Sequence, residues 1–156
     1  MTDDSLAYVA ITRLYADYAD VVTRRAWDEL EALFLPETVV HVDTVNAPAR
    51  EFRGPTVFAD FVATSIQRFE FFELVILNVH VLPAAGDGDR QSRIFTCELR
   101  QERDNGHWSN AFGVYHDHLS FVDGRWRFSE RHYQSLARKV GDAPAEVFPF
   151  PQSHTV

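Results

Sequence analysis

The segment YHDHLSFVDGRWRFSERHY, residues 115–133, carries three histidines interleaved with carboxylates and arginines. Such a set could bind a metal or move protons, depending on which side chains share a face. Asp123-Gly124 is a two-residue hairpin signal, so Val122 is expected opposite Arg125. Counting back pairs Phe121 with Trp126, Leu119 with Phe128, Asp117 with Glu130, and Tyr115 with His132. Directly opposed side chains share a face. One face then reads Trp126, Phe121, Leu119, Phe128, Asp117, Glu130, Tyr115 and His132; the other reads Arg127, Ser120, His118, Ser129, His116 and Arg131. The first is apolar at one end and is expected to face the core. A two-residue turn at Asn105-Gly106 pairs Glu98 with Gly113 and Thr96 with Tyr115, adding both to the inner face.

The inner face therefore gathers Glu98, Asp117, Glu130, Tyr115 and His132. Carboxylates in an apolar cavity have raised pKa values, as acid–base catalysis near neutral pH requires. The plainer alternative is that Arg100, two residues from Glu98 on the same face, neutralises an acid, or that the polar end is an open rim. His116 and His118 share the outer face, as two metal ligands would. Arg127 and Arg131 beside them disfavour a cation, so no metal site is expected.

These strands need a frame. Ile11, Leu14, Tyr15, Tyr18 and Val22 have the spacing of one face of a helix ending near Arg25. Trp27 to Phe34 is expected as a second helix and Thr38 to Val45 as a strand. Gly54-Pro55 opens a third helix, followed by strands over 71–82, 93–103, 108–122 and 125–133. Helix, helix, strand, helix and an antiparallel meander imply an α+β fold. A curved, cone-shaped sheet would carry the N-terminal helices on its concave face and enclose an apolar pocket. Residues 1–136 form the expected domain. The tail, 137–156, with Val147, Phe148 and Phe150, is expected to pack on it.

At 156 residues the chain is long enough for one well-filled core. A net charge of −8 without a basic run argues against nucleic acid. No apolar run approaches the ~20 residues of a membrane helix. A single cysteine, Cys97, and an acidic N-terminus without a signal pattern suit a cytoplasmic protein. Phe95, Cys97, Leu99, Phe112 and Val114 would form an apolar patch on the outer face, so a homodimer or other small homo-oligomer is expected.

The runs YADYADVVTRRAWDELEALFLPETVVHV and YHDHLSFVDGRWRFSER, with the Gly54-Pro55 helix start, resemble the SnoaL-like family of the nuclear transport factor 2-like superfamily over residues 6–134. The resemblance implies an α+β cone and cofactor-free proton transfer on an apolar small molecule. Its members include dehydratases, a dehydrochlorinase, steroid isomerases, polyketide cyclases, epoxide hydrolases and non-catalytic proteins. Tyr18 matches the helix-one tyrosine of the dehydratase-like members. Thr23 stands where they carry an aspartate, and the apolar stretch Leu74 to Ile76 stands where they carry a histidine. Asn78 and His80 share parity with Leu74 and Ile76, which makes His80 a substitute base; Glu98 matches an acid of some bile-acid dehydratases.

The expectation is an enzyme without cofactor, a lyase, isomerase or cyclase, acting on a hydrophobic oxygenated small molecule. Glu98, Asp117, His80, Tyr18 and His132 are the candidate catalytic residues, and Asn78, Tyr115, Trp126, Phe128 and Glu130 the candidate binding residues. Epoxide hydrolysis by paired acids and a non-catalytic binding or accessory role are the alternatives.

Overall fold

The computed structural model describes residues 3–84 and 88–151. Helix α1 (Asp3–Arg24) is followed by a short α2 (Trp27–Leu30), which tightens into a 3-10 turn, and by α3 (Pro55–Ile66). The strands are β1 (Phe34–Asp43), β2 (Arg50–Arg53), β3 (Phe69–Val81), β4 (Arg90–Glu102), β5 (Trp108–Val122), β6 (Arg125–Val140) and β7 (Glu146–Val147). They form one curved, open sheet in the order β2-β1-β6-β5-β4-β3, with β7 against β6. The meander β3 to β6 is antiparallel, and β1 runs parallel to β6. No described helix is long and apolar enough to cross a membrane.

Helix α1 buries Ala7, Ile11, Leu14, Tyr15, Tyr18, Val21 and Val22, a stripe at three- and four-residue spacing. Asp20 lies off that stripe, exposed and paired with Arg24 at 2.8 Å. Gly54 takes φ of 90°, which a side chain would resist, and Pro55 supplies the pre-set first turn of α3. The stripe of α1 packs into an aromatic core where Tyr18, Phe34 and Phe128 meet edge to face or tilted, with centroids 5.1 to 6.2 Å apart.

The β5–β6 turn has the expected two residues, Asp123 and Gly124, both with positive φ, and Val122 pairs with Arg125. The β4–β5 loop is longer, so Glu98 pairs with Ala111 and Thr96 with Gly113. That shift of two residues preserves every facing, because side chains alternate with period two.

Bulges do not preserve it. In β6 an extra residue at Ser129 separates the pairs Leu119↔Phe128 and His118↔Glu130, so Asp117 faces Arg131 and Tyr115 faces Tyr133. In β3 the register slips between Ile76 and Val79. A further slip in β6 at Leu136 keeps Ser135 opposite Gly113 and brings Arg138 opposite Ala111.

Candidate functional site

The concave face of the sheet, closed by α1 and α3, encloses a cavity of about 450 Å³. Its apolar wall includes Val22, Val40, Phe58, Phe61, Phe72 and Leu74. Polar groups enter from β4, β5 and β6: Glu98, Arg100, Tyr115, Tyr133, Ser135 and Arg138, with Tyr18 from α1. A larger depression between α1 and the β5–β6 turn is open to solvent on the other side of the helix.

Glu98 is the acid of this cavity. Leu74, Glu98, Ala111 and Arg138 form one row of the concave face, and small Ala111 leaves open space between the acid and Arg138. The Glu98 carboxylate accepts no hydrogen bond and makes no ion pair among the described residues. Burial pushes its pKa up, against the partial opposition of Arg100 and Arg138. A carboxyl held this way binds a proton more tightly than a free one, which makes it the stronger base. Burial also raises the pKa values of Tyr18, Tyr115 and Tyr133, with Glu98 adding to each, so these phenols stay protonated as hydrogen-bond donors.

Asp117 faces inward as expected but lies opposite Ser92, far along β4 from Glu98. Both of its oxygens are committed. Arg131 donates to them at 2.8 and 3.0 Å, and the Tyr15 hydroxyl donates at 2.7 Å. The Arg131 guanidinium has no exposed surface and stacks on Phe128, Tyr115 and Tyr18 at 4.0 to 4.4 Å. Asp117 raises the Arg131 pKa despite complete burial. This pair lies behind the Tyr18 and Tyr115 rings that line the cavity, and Asp117 has no oxygen left to take a substrate proton.

Four other sequence candidates sit outside the cavity because of the bulges. One row of the outer face reads Glu51, His41, His132, His116, Arg93 and His80, from β2 across to β3. His132 and His80 are therefore on the face opposite the expected one. Glu130 is there too, accepting contacts from His132 at 3.0 Å and His41 at 3.2 Å. Asn78 falls in the β3 bulge and is exposed. Phe128 faces inward but is wholly buried in the core. Trp126 borders the open depression rather than the cavity.

His41, Glu130 and His132 are the one group among the described residues with ligand atoms close enough for a metal, all within 4.8 Å. The two imidazoles are stacked at 4.1 Å and 5°. Parallel ring planes share no point, so their in-plane lone pairs converge on one ion only if a ring turns. The cluster works as a carboxylate shared between histidines.

Thr23, where the resemblance places an aspartate, meets the start of the stretch Leu74 to Ile76, where it places a histidine: the Leu74 N–H donates to the Thr23 hydroxyl at 3.0 Å. Leu74 lines the cavity. Neither side chain ionises, and the one acid among the cavity's described lining residues stands on β4.

Three residues of the site were not expected there: Tyr133 because the Ser129 bulge reverses the facing of β6, and Ser135 and Arg138 because β6 runs on to Val140, past the expected strand end at 133 and into the expected tail. A signal was present in Gly113, a glycine inside a strand, which marks a close approach. A Cβ on Gly113 would lie 2.2 Å from the Tyr133 ring, so the phenol lies flat across that position. Gly113→Ala is expected to push the Tyr133 ring out of place, destabilising the fold by about 1–3 kcal/mol and weakening ligand binding. Thermal melts and a structure of the variant check this; an unmoved Tyr133 ring contradicts it.

A family model of the SnoaL-like domain matches residues 3–132. No protein of curated function matches by sequence. Among solved structures, a scytalone dehydratase candidate from Novosphingobium aromaticivorans superposes with a TM-score of 0.77 at 21% identity, covering 99% of this chain and 100% of that one. A hexachlorocyclohexane dehydrochlorinase from Novosphingobium barchaimii has a TM-score of 0.77 at 18% identity, covering 94% and 98%. The beta subunit of a candidate aromatic-ring-hydroxylating dioxygenase from Novosphingobium aromaticivorans has a TM-score of 0.70 at 17% identity, covering 86% and 92%.

Proposed function

This chain belongs to the SnoaL-like domain family, and on that premise we propose that it is an acid–base enzyme working without a cofactor. It acts as a lyase, isomerase or cyclase on a hydrophobic oxygenated small molecule of polyketide, steroid or aromatic type. The observation that carries this is Glu98: an unpaired carboxyl, raised by burial, in a mostly apolar cavity beside protonated tyrosines. Glu98 takes a proton from carbon next to a carbonyl, whose oxygen is held by Tyr133 or Tyr115 as charge develops on it. In a dehydration the electron pair of that C–H bond forms the C=C bond as the β-hydroxyl leaves. Glu98 returns the proton to it, giving water. In an isomerisation Glu98 returns the proton to a different carbon. One mobile acid is enough for either.

The epoxide reaction needs two cooperating acids, and Asp117, held by Arg131 and Tyr15, is not available as the second. Thr23 and Leu74 at the dyad positions favour one other reading, a non-catalytic binding or accessory domain, as does the likeness to a dioxygenase beta subunit. A panel of cyclic β-hydroxyketones, followed for loss of water by absorbance and mass spectrometry, separates them. Turnover of any member that Glu98→Gln removes supports the enzyme; no turnover of any member supports the accessory domain.

The outer face supports assembly as a small homo-oligomer. Of the expected patch Cys97 and Val114 are buried and Phe112 is exposed, beside Phe71 and Trp108, while Phe150 of the tail packs on Phe95 at 6.1 Å without covering those three. Light scattering at micromolar concentration is expected to give twice the 17.9 kDa chain mass, and Phe112→Glu to return it to the monomer. A monomer in the unaltered protein contradicts the assembly.

A further inference from the structure

We infer that the substrate carries an anionic group, a carboxylate or an acidic enol, and that Arg100 and Arg138 hold it in the cavity. This deepens the proposed function and rests on it for the word substrate, but it concerns binding and is tested without turnover.

The argument begins with charge. The chain as a whole is acidic, at −8, yet the cavity is lined by Arg68, Arg100 and Arg138 against the one acid Glu98. Arg68 is accounted for: it lies largely exposed at the mouth and pairs with Glu102 at 3.4 Å. Arg100 and Arg138 are different. Neither comes within 4.0 Å of a carboxylate among the described residues. Arg100 gives only its Nε to the protein, donating to Ser109 Oγ at 3.0 Å, and lies over the Phe69 ring at 4.9 Å. Arg138 uses only Nη2, donating to the Thr44 carbonyl and to Ser135 Oγ. A guanidinium has five N–H donors in a planar fork, so most donors of both side chains have no acceptor among the described residues. Both side chains are half-buried, so in the ligand-free cavity these donors face solvent and stand ready for an incoming acceptor.

Their placement fits one anion. Arg100 stands two residues from Glu98 on β4, and Arg138 stands across Ala111 from it. The two guanidiniums thus reach the same end of the cavity from two strands. Burial pushes Arg100 below its usual range, and Arg68 and Arg138 add to that, while Glu98 opposes it. A bound carboxylate would relieve this crowding with charge-assisted, bidentate bonds. It would also fix the rest of the molecule along the apolar wall, with Glu98 beside the anchored end.

The test uses two probes of one shape, 2-naphthoate and neutral 2-naphthamide, titrated calorimetrically into the full chain. The unaltered protein is expected to bind the carboxylate at least ~10-fold more tightly, the fold-change of one lost charge-assisted pair, with affinity falling as salt rises. Arg100→Met and Arg138→Met should each lower carboxylate affinity toward that of the amide and leave amide affinity unchanged. Glu98→Gln should keep the preference, so a failure of the proton-transfer role and a failure of anion binding give different results. Equal affinity for both probes, or binding of neither at millimolar concentration, would overturn the inference, as would a preference that survives both arginine variants together. If either variant fails to fold, the carboxylate-to-amide ratio of the unaltered protein and its salt dependence decide alone.

Discussion

Replacing Glu98 by glutamine is expected to lower turnover by ~10²–10⁴-fold, the usual contribution of a positioned acid–base group, while the protein stays folded. The amide keeps shape and volume but cannot accept the proton. Stability should move the other way. Burial raises the Glu98 pKa, so the folded chain holds this proton more tightly than the unfolded chain. The stability linked to Glu98 is therefore fully present below the ordinary carboxylate pKa and is lost as pH rises through the raised one. Above that window Glu98→Gln removes a desolvated charge, and its melting temperature should equal or exceed that of the unaltered protein. Steady-state rates at neutral pH and melts from acid to neutral pH check both halves. Undiminished turnover in this variant would move the chemistry away from the cavity acid.

Asp117→Asn should be the most destabilising polar substitution in the molecule. It leaves the Arg131 guanidinium, which has no exposed surface, without its counter-charge. Removing one partner of a buried pair costs about 3–5 kcal/mol, which for a chain of this size lowers the melting temperature on the order of 10 °C. The aromatic faces of Tyr18, Tyr115 and Phe128 offset only part of this. Because the loss comes from an orphaned charge, the paired change Asp117→Leu with Arg131→Met should recover much of it. Calorimetric melts of the three proteins decide: an Asp117→Asn variant as stable as the original means the buried pair does not hold the fold together.

The two predictions rest on different legibility in the sequence. Glu98 was put on the concave face although the loop after it was misjudged, because a shift of two residues cannot reverse a face. The Asp123-Gly124 turn likewise put Asp117 and Tyr115 inward. Arg131 and His132 exchanged faces because one extra residue, Ser129, bulges from β6, and His80 went outward for the same reason at Leu77 and Asn78 in β3. Nothing in those residue types announces a bulge; curvature of the whole sheet selects it. The strand β2 escaped notice because its four residues, Arg50–Arg53, alternate around Phe52 alone. Thr23 and Leu74 were legible as departures from the family pattern, and their direct contact explains how the fold tolerates both. The helices α1 and α3 were legible from their apolar stripes and from Gly54-Pro55, since local spacing carries that signal.

The central claim is that the cavity raises the affinity of Glu98 for its proton, and this can be measured without knowing the substrate. The Glu98 side-chain carboxyl, labelled with carbon-13 and assigned by its absence from the Glu98→Gln spectrum, can be titrated by NMR in the ligand-free protein. The account predicts a midpoint clearly above the ~4.3 of a free glutamate, because burial outweighs Arg100 and Arg138. A midpoint at or below that value would mean the two guanidiniums outweigh burial, leaving Glu98 no stronger a base than a free carboxylate and removing the raised proton affinity on which the proposed transfer rests.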